Sequence, residues 1–387
     1  MHKTAMALIL AAGLLGVGTA AAQAGTFDGA RYVSPSGASG AADTSCGTAG
    51  YSDINAAIAA AAAGGTVVVC PGTYDTQAIV SKPLNLIGRP GAVIDAKGLP
   101  PLTIGTTKLP GSIGIGVLAT SDARVSGFKV EYAGFDAILV ALSSHVSVSR
   151  NVLLHNGDVG VDINGSSWSQ ATGNVSEDNS GGGFLVADDV GPNSHNTVAW
   201  NVASHNPGGC GVIVAGHSTD GVTDNLIEDN LLTYNGTLKS SGGGAGVVIA
   251  TEVPGETVAG NTVTGNTIYG NGLAGVTIHA HLPGQNLNGN RITGNWIGTN
   301  DTLGDPIDLA TSPTSTTNVA APDSRTTGIL VGSASAIWVQ ISGNHIVSDY
   351  CGIFLEGVGD VVHASLQGNH FGKVAVRVKR VVVSLSD

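Results

Sequence analysis

Residues 151–206 read NVLLHNGDVGVDINGSSWSQATGNVSEDNSGGGFLVADDVGPNSHNTVAWNVASHN, and two interleaved periods in this stretch decide the fold. The first is a small residue that opens an alternating apolar run. Gly160 leads into Val161 and Ile163, and Gly183, 23 residues later, leads into Phe184 and Val186. The second is Asn at five-residue intervals: Asn151 and Asn156, Asn174 and Asn179, then Asn196, Asn201 and Asn206. Alternation of apolar and polar residues is the strand period, and nothing here recurs with helical spacing.

Both periods extend outward. Gly114 and Ala137 precede Gly160 at the same 23-residue step, and Gly211, Gly246, Gly275, Gly328 and Gly352 continue the series with insertions. Asn225, Asn230 and Asn235 follow, then Asn261, Asn266 and Asn271, then Asn290, Asn295 and Asn300. A unit this short cannot bury its apolar side alone, whereas stacked copies share one continuous core. Each copy is therefore one coil of a solenoid. Asn at each bend is expected to take left-handed backbone angles and to hydrogen-bond the Asn of the coils above and below.

These repeats resemble those of the right-handed parallel β-helix, or pectin-lyase-like, proteins, over roughly residues 65–372. The resemblance implies an all-β, single-stranded solenoid of about ten coils. It leaves function open, because that fold carries polysaccharide lyases, glycoside hydrolases, epimerases, esterases, adhesins and NosD-type proteins. Asp53 to Ala63, ended by Gly64-Gly65, reads as a short helix that plugs the first coil, followed by the strand Thr66–Val69. At the other end Val374, Val376 and Val378 alternate with Arg377 and Lys379, charges that discourage edge pairing. The chain divides into a leader at 1–24, an N-terminal segment with the capping helix at 25–64, and the solenoid at 65–387.

The leader rests on His2 and Lys3, an apolar run from Ala5 to Ala22, and the small-x-small triplet Ala22-Gln23-Ala24. That is the pattern of a cleaved secretory signal, so a secreted or periplasmic protein is expected, without membrane insertion. An oxidising destination permits disulfides, and Cys46 and Cys70 lie close enough in sequence to pair. Cys210 and Cys351 fall in one inward column several coils apart and are expected as buried free thiols. With 16 Lys plus Arg against 28 Asp plus Glu, a net charge of -12, a general nucleic-acid surface is excluded. A monomer that takes a polysaccharide or oligosaccharide is the expected form.

In a stacked solenoid, chemistry is found by reading columns, since equivalent positions of successive coils lie about 4.8 Å apart. With the strand-initial Gly as zero, positions +1 and +3 point inward and +2 and +4 outward. Position +6 reads Asp189, His217, Glu252 and His281 in four consecutive coils. This row is the candidate catalytic set. Asp188 beside Asp189, His279 on the same outer face, Trp168 as a sugar platform and Arg291 as the nearby cation are the candidate substrate-binding residues. Asp189 and Glu252, two coils apart, have the spacing of an acid and base pair for glycoside hydrolysis. For β-elimination on a uronate, His217 or His281 is the candidate base. Asp188-Asp189 and Gly216-His217 are similar to the Asp-Asp and Gly-His motifs of polygalacturonase-type hydrolases, although their Asn-Thr-Asp and Arg-Ile-Lys motifs are missing. Carboxylates here are also ligand types for calcium, and His217, His279, His281 and Glu252 for a transition metal. Cleavage of an extracellular polysaccharide is the leading expectation; a non-catalytic sugar-binding, surface or NosD-type metal-binding solenoid is the alternative.

Overall fold

The computed structural model describes residues 29–104, 107–252, 254–280, 282, 284–303 and 326–383. The leader and His281 lie outside the described residues, as does most of the insertion before Thr327. Among the described residues the chain forms three long sheets of twelve, eleven and eleven strands, in which every strand pairs parallel with its equivalent in the next coil. This is the expected parallel β-helix.

Its site-bearing sheet, here the third, contains β1 (Ile138–Ala141), β2 (Val159–Asn164), β3 (Gly182–Ala187), β4 (Val212–Gly216), β5 (Val247–Thr251) and β6 (Val276–Ala280) in adjacent coils. Their register brings Ile138, Val161, Phe184, Val212, Val247 and Val276 into one column, and Val140, Ile163, Val186, Val214, Ile249 and Ile278 into a second. Both columns are buried and belong to a single core that runs the length of the molecule. At about 25 cal/mol per Å² of apolar area, this internal stack is the main stabilising term, and it exists only between coils.

At the N-terminal end, helix α1 (Ile54–Ala60) covers the first coil. Asp53 caps it by accepting from the Ala56 backbone N–H at 2.9 Å, and Ile54, Ala57 and Ile58 enter the core. The strand Arg31–Val33 pairs with Val67–Val69, so the first sheet begins inside the segment assigned to the cap. Cys46 and Cys70 form the expected disulfide, with Cα atoms 5.6 Å apart, while Cys210 and Cys351 are thiols, Cys351 buried as expected and Cys210 only half-buried. Burial pushes the Cys210 thiol up to about 11, so it stays protonated.

The Asn series forms buried columns of amides. Asn201 donates from both its backbone N–H and Nδ2 to Asn230 Oδ1, at 2.9 and 3.0 Å, and Asn230 donates likewise to Asn266 Oδ1. The expected backbone angles are corrected. Among the described residues no Asn has positive φ; the residue before it does, as in Arg150, His155, His195, Trp200, His205, Asp229 and Tyr234, and as Gly in Gly265 and Gly294. The chain turns one residue early, and the amide that follows points into the core. Side chains of the turning residues stay outside and stack: Tyr132 on His155 at 5.7 Å, Trp168 on His195 at 4.2 Å, His205 on Tyr234 at 5.2 Å. One column ends in an acid, where Asn300 donates to Asp349 Oδ1 at 2.9 Å. Asp349 is buried, its Oδ2 has no partner, and burial pushes its carboxyl up to about 8.

A second apolar layer lies outside the third sheet. Leu102, Ile104 and Leu109 pack on Ile113, Leu139 and Ala141, together with Phe135. This outer layer removes part of the sheet's exterior from water.

Candidate functional site

Three members of the +6 row, Asp189, His217 and Glu252, come into line; the fourth, His281, lies outside the described residues. Ala187 pairs with Ala215 and Gly216 with Thr251, which places Asp189 and His217, and then Glu252, at equivalent points just past the ends of β3, β4 and β5. His217 Nδ1 lies 2.9 Å from Asp189 Oδ1. The other oxygen, Asp189 Oδ2, accepts from Asn164 Nδ2 at 2.6 Å. Asp189 is exposed and His217 half-buried, so the pair meets solvent.

Its electrostatics follow from this geometry. The bond to Asp189 pushes His217 up to about 9 against the opposing effect of burial, with the charges of Asp189, Glu252 and Asp188 adding to the rise. Burial raises Asp189, but the bonds from His217 and Asn164 outweigh it and hold the carboxyl below its ordinary range. At neutral pH the site is thus an imidazolium paired with a carboxylate.

Beneath the pair lie carboxyl groups that the +6 reading passed over. Asp162, on the outward side of β2, is buried; its Oδ2 accepts from the same Asn164 Nδ2 at 3.2 Å, and its Oδ1 has no partner. Burial pushes it up to about 8. Asp136, fully buried at the start of β1, is raised well above the ordinary range by burial and then by Asp162 and Asp158; its Oδ2 is likewise unpartnered. Asp158 is raised by burial and by Asp189. A Cβ on Gly181 would collide with Asp158 Oδ1, so a larger residue there would displace this carboxyl group. The outward rule at +2 was sufficient to find Asp162, since its neighbours in that column are Leu139, Leu185, Ile213 and Val248.

The other candidates separate. Asp188 is buried and accepts from the backbone N–H groups of His217, Ser218 and Gly221 at 2.7, 3.1 and 2.8 Å, and from Ser218 Oγ. It fixes the loop that carries His217. Glu252 is exposed, with its backbone N–H bonded to the Glu256 carboxylate. His279 sits on the outer face of β6, in register with Ala250 and buried. Trp168 is 57% exposed, two residues beyond the same column, with one face covered by His195. Arg291 does not belong here: it pairs with Thr262 and Gln340 in the first sheet, on another face of the molecule. The insertion at 236–245 precedes the start of β5, whereas Glu252 follows its end.

Among the described residues, no group of three or more His, Cys, Asp or Glu side chains converges to share a metal ion. None of their helices is long and apolar enough to cross a membrane.

A family model described as periplasmic copper-binding protein (NosD) matches residues 106–308, just over half of the 387-residue chain. The chain belongs to the NosD family. Solved structures similar to this NosD-family chain include the A-module of mannuronan C-5 epimerase AlgE4 from Azotobacter vinelandii, with TM-score 0.57 at 18% identity over 86% of this chain and 94% of that one. PfbA, a surface adhesin of Streptococcus pneumoniae, gives 0.58 at 13% identity over 84% and 86%. An alginate lyase from Paenibacillus sp. str. FPU-7 gives 0.50 at 13% identity over 84% and 96%. At these identities the likeness is one of fold. No curated protein matches the chain.

Proposed function

We propose that this chain is an extracytoplasmic protein that cleaves a polysaccharide by acid–base chemistry on the outer face of the third sheet. The observation that carries the reading is the His217–Asp189 pair, an imidazole whose Nδ1 is held by a carboxylate and which keeps its proton at neutral pH. Such a group is a general acid. His217 Nε2–H donates to the leaving glycosidic oxygen as the C–O bond breaks, a step that hydrolysis and β-elimination share. Asp189, oriented by Asn164, acts as a positioning residue for the imidazolium. Glu252, whose charge reaches His217 from the next coil, is the carboxylate that takes the second proton, from water in hydrolysis. The structural neighbours include a mannuronan epimerase and an alginate lyase, which supports a polysaccharide as the substrate class. The Cys46–Cys70 disulfide and the family's periplasmic description support the compartment.

The test is an incubation of the protein with a panel of neutral and uronate polysaccharides, following reducing ends together with absorbance of unsaturated products. Reducing ends alone, lost in His217→Ala and Glu252→Ala, establish hydrolysis; both signals together establish elimination. Silence across the panel with folded variants overturns the reading.

The family description favours copper binding as a second reading. The described residues do not fit a preassembled copper centre: no three ligand side chains converge, and the half-buried Cys210 thiol is protonated. Equilibrium dialysis against Cu(II) and Cu(I) separates the readings, since one tightly held copper per chain that His217→Ala releases would favour this alternative over cleavage.

A further inference from the structure

Away from the acid strip, the first sheet changes character in its last coils. Its outward side chains in the central coils are mainly small or aliphatic, as Thr197 and Ala199, or Thr262 and Thr264. Near the C-terminal end they become Arg291, Gln340, Trp338 and His363, and with Ser365, Arg380 and Asp360 they line a groove of about 770 Å³. Trp338 is 55% exposed, with its ring stacked on His363 at 4.8 Å and 22°, so one face is packed and the other opens to the groove. Val339 and Val362 anchor the two strands in the core beneath, so the platform is carried by strands and not by a loop.

The charge of the groove runs against that of the molecule. In a chain of net charge -12, two guanidinium groups flank the tryptophan. Arg380 is held by its bond to Val362 O at 2.7 Å and lies 3.7 Å from the exposed Asp360. Among the described residues, no carboxylate lies within ion-pair distance of Arg291. A flat aromatic face suits the C–H face of a pyranose ring, and a guanidinium fork suits a carboxylate through two parallel hydrogen bonds. Gln340 and Ser365 add an amide and a hydroxyl for sugar hydroxyls.

We propose that this groove is a second glycan-binding site, separate from the His217 strip, and that it takes an anionic, uronate-bearing oligosaccharide with one ring on Trp338 and its carboxylate on Arg291. The proposal rests on the polysaccharide reading for its substrate class, but not on cleavage at the strip. A single-stranded nucleic acid is the other ligand with stacked rings and anionic charge, and the overall acidity of the chain disfavours it.

The test is calorimetric titration of the whole protein with a uronate hexasaccharide, a neutral hexasaccharide and a hexadeoxythymidylate. Trp338→Ala and Arg291→Gln are each expected to weaken uronate binding roughly tenfold or more, as the loss of one charge-assisted contact implies. Arg124→Gln, at an exposed arginine far along the same sheet and outside both sites, is expected to bind as the parent does. Thermal melts check that each variant is folded. Uronate affinity unchanged in both groove variants overturns the proposal, as does binding of the neutral glycan or the oligonucleotide at equal strength, or no heat from the parent. Binding lost in His217→Ala alone would overturn the groove and leave the strip standing. Groove binding without cleavage would do the reverse.

Discussion

The pairing of His217 with Asp189 makes a prediction at the level of single protons. His217 is pushed up to about 9 chiefly by its bond to Asp189, so Asp189→Asn should let it fall toward the ordinary value near 6.5. An imidazole NMR titration would read that fall directly. If His217 is the acid in cleavage, activity of the parent declines as pH rises through about 9, and in Asp189→Asn the same limb moves to near neutrality. Asp162 provides a second test with the opposite chemistry. Its folded value near 8 lies above the unfolded 3.8, so the folded state holds the proton more tightly. The linked stability is full below about 4 and is lost as pH rises through 8. Asp162→Asn, which imitates the protonated acid, should leave the melting temperature at pH 4 nearly unchanged and raise it at pH 9. An equal change at both pH values would show that titration is not the cause.

Elements extend the argument, because here a residue's partners sit one coil away. Asn230 accepts two bonds from Asn201 and donates two to Asn266, all of them buried. Asn230→Ala orphans a backbone N–H and an amide on one side, and should lower stability by about 1–3 kcal/mol in urea unfolding. Asn369, the last acceptor of its column and only half-buried, should lose less when replaced. The same stacking explains what the sequence disclosed. Parallel register keeps equivalent positions in line, so Asp189, His217 and Glu252 could be aligned by counting from Gly183, Gly211 and Gly246. Counting did not reveal that Asp162 and Asp136 are acids held under the site. Asp162 stands beside Leu139, which is covered by Leu102, Ile104 and Leu109 from a segment ahead of Gly114 that does not recur at the coil spacing. Arg291 was misplaced for a related reason: proximity in sequence to His279 and His281 is not proximity in space when the chain turns onto another sheet within a few residues.

For the whole molecule, stability is a sum over neighbouring coils, and the ends are where unravelling begins. The N-terminal end has two fastenings, α1 and the Cys46–Cys70 bridge across 24 residues. Replacing both cysteines by Ser should remove about 3 kcal/mol from the chain's closure at that end. Limited proteolysis should then cut first in the cap while the central coils stay protected; uniform cutting would show that the stack melts as one unit. The amide columns also run in one direction. Each Asn offers its oxygen to the coil before it and its backbone N–H and one amide N–H to the coil after, while Nδ2 also reaches a backbone carbonyl of the coil before, as Asn230 does to Val198 O. The bonds from one Asn to the next therefore all point the same way, with their N–H groups toward the last coils. Asp349 sits at that end, taking the N–H of Asn300. Below its pKa of about 8 it closes the column as a neutral acid; above it, a buried anion accepts the last N–H of that row. The solenoid thus carries a proton-controlled charge where this column of amides ends.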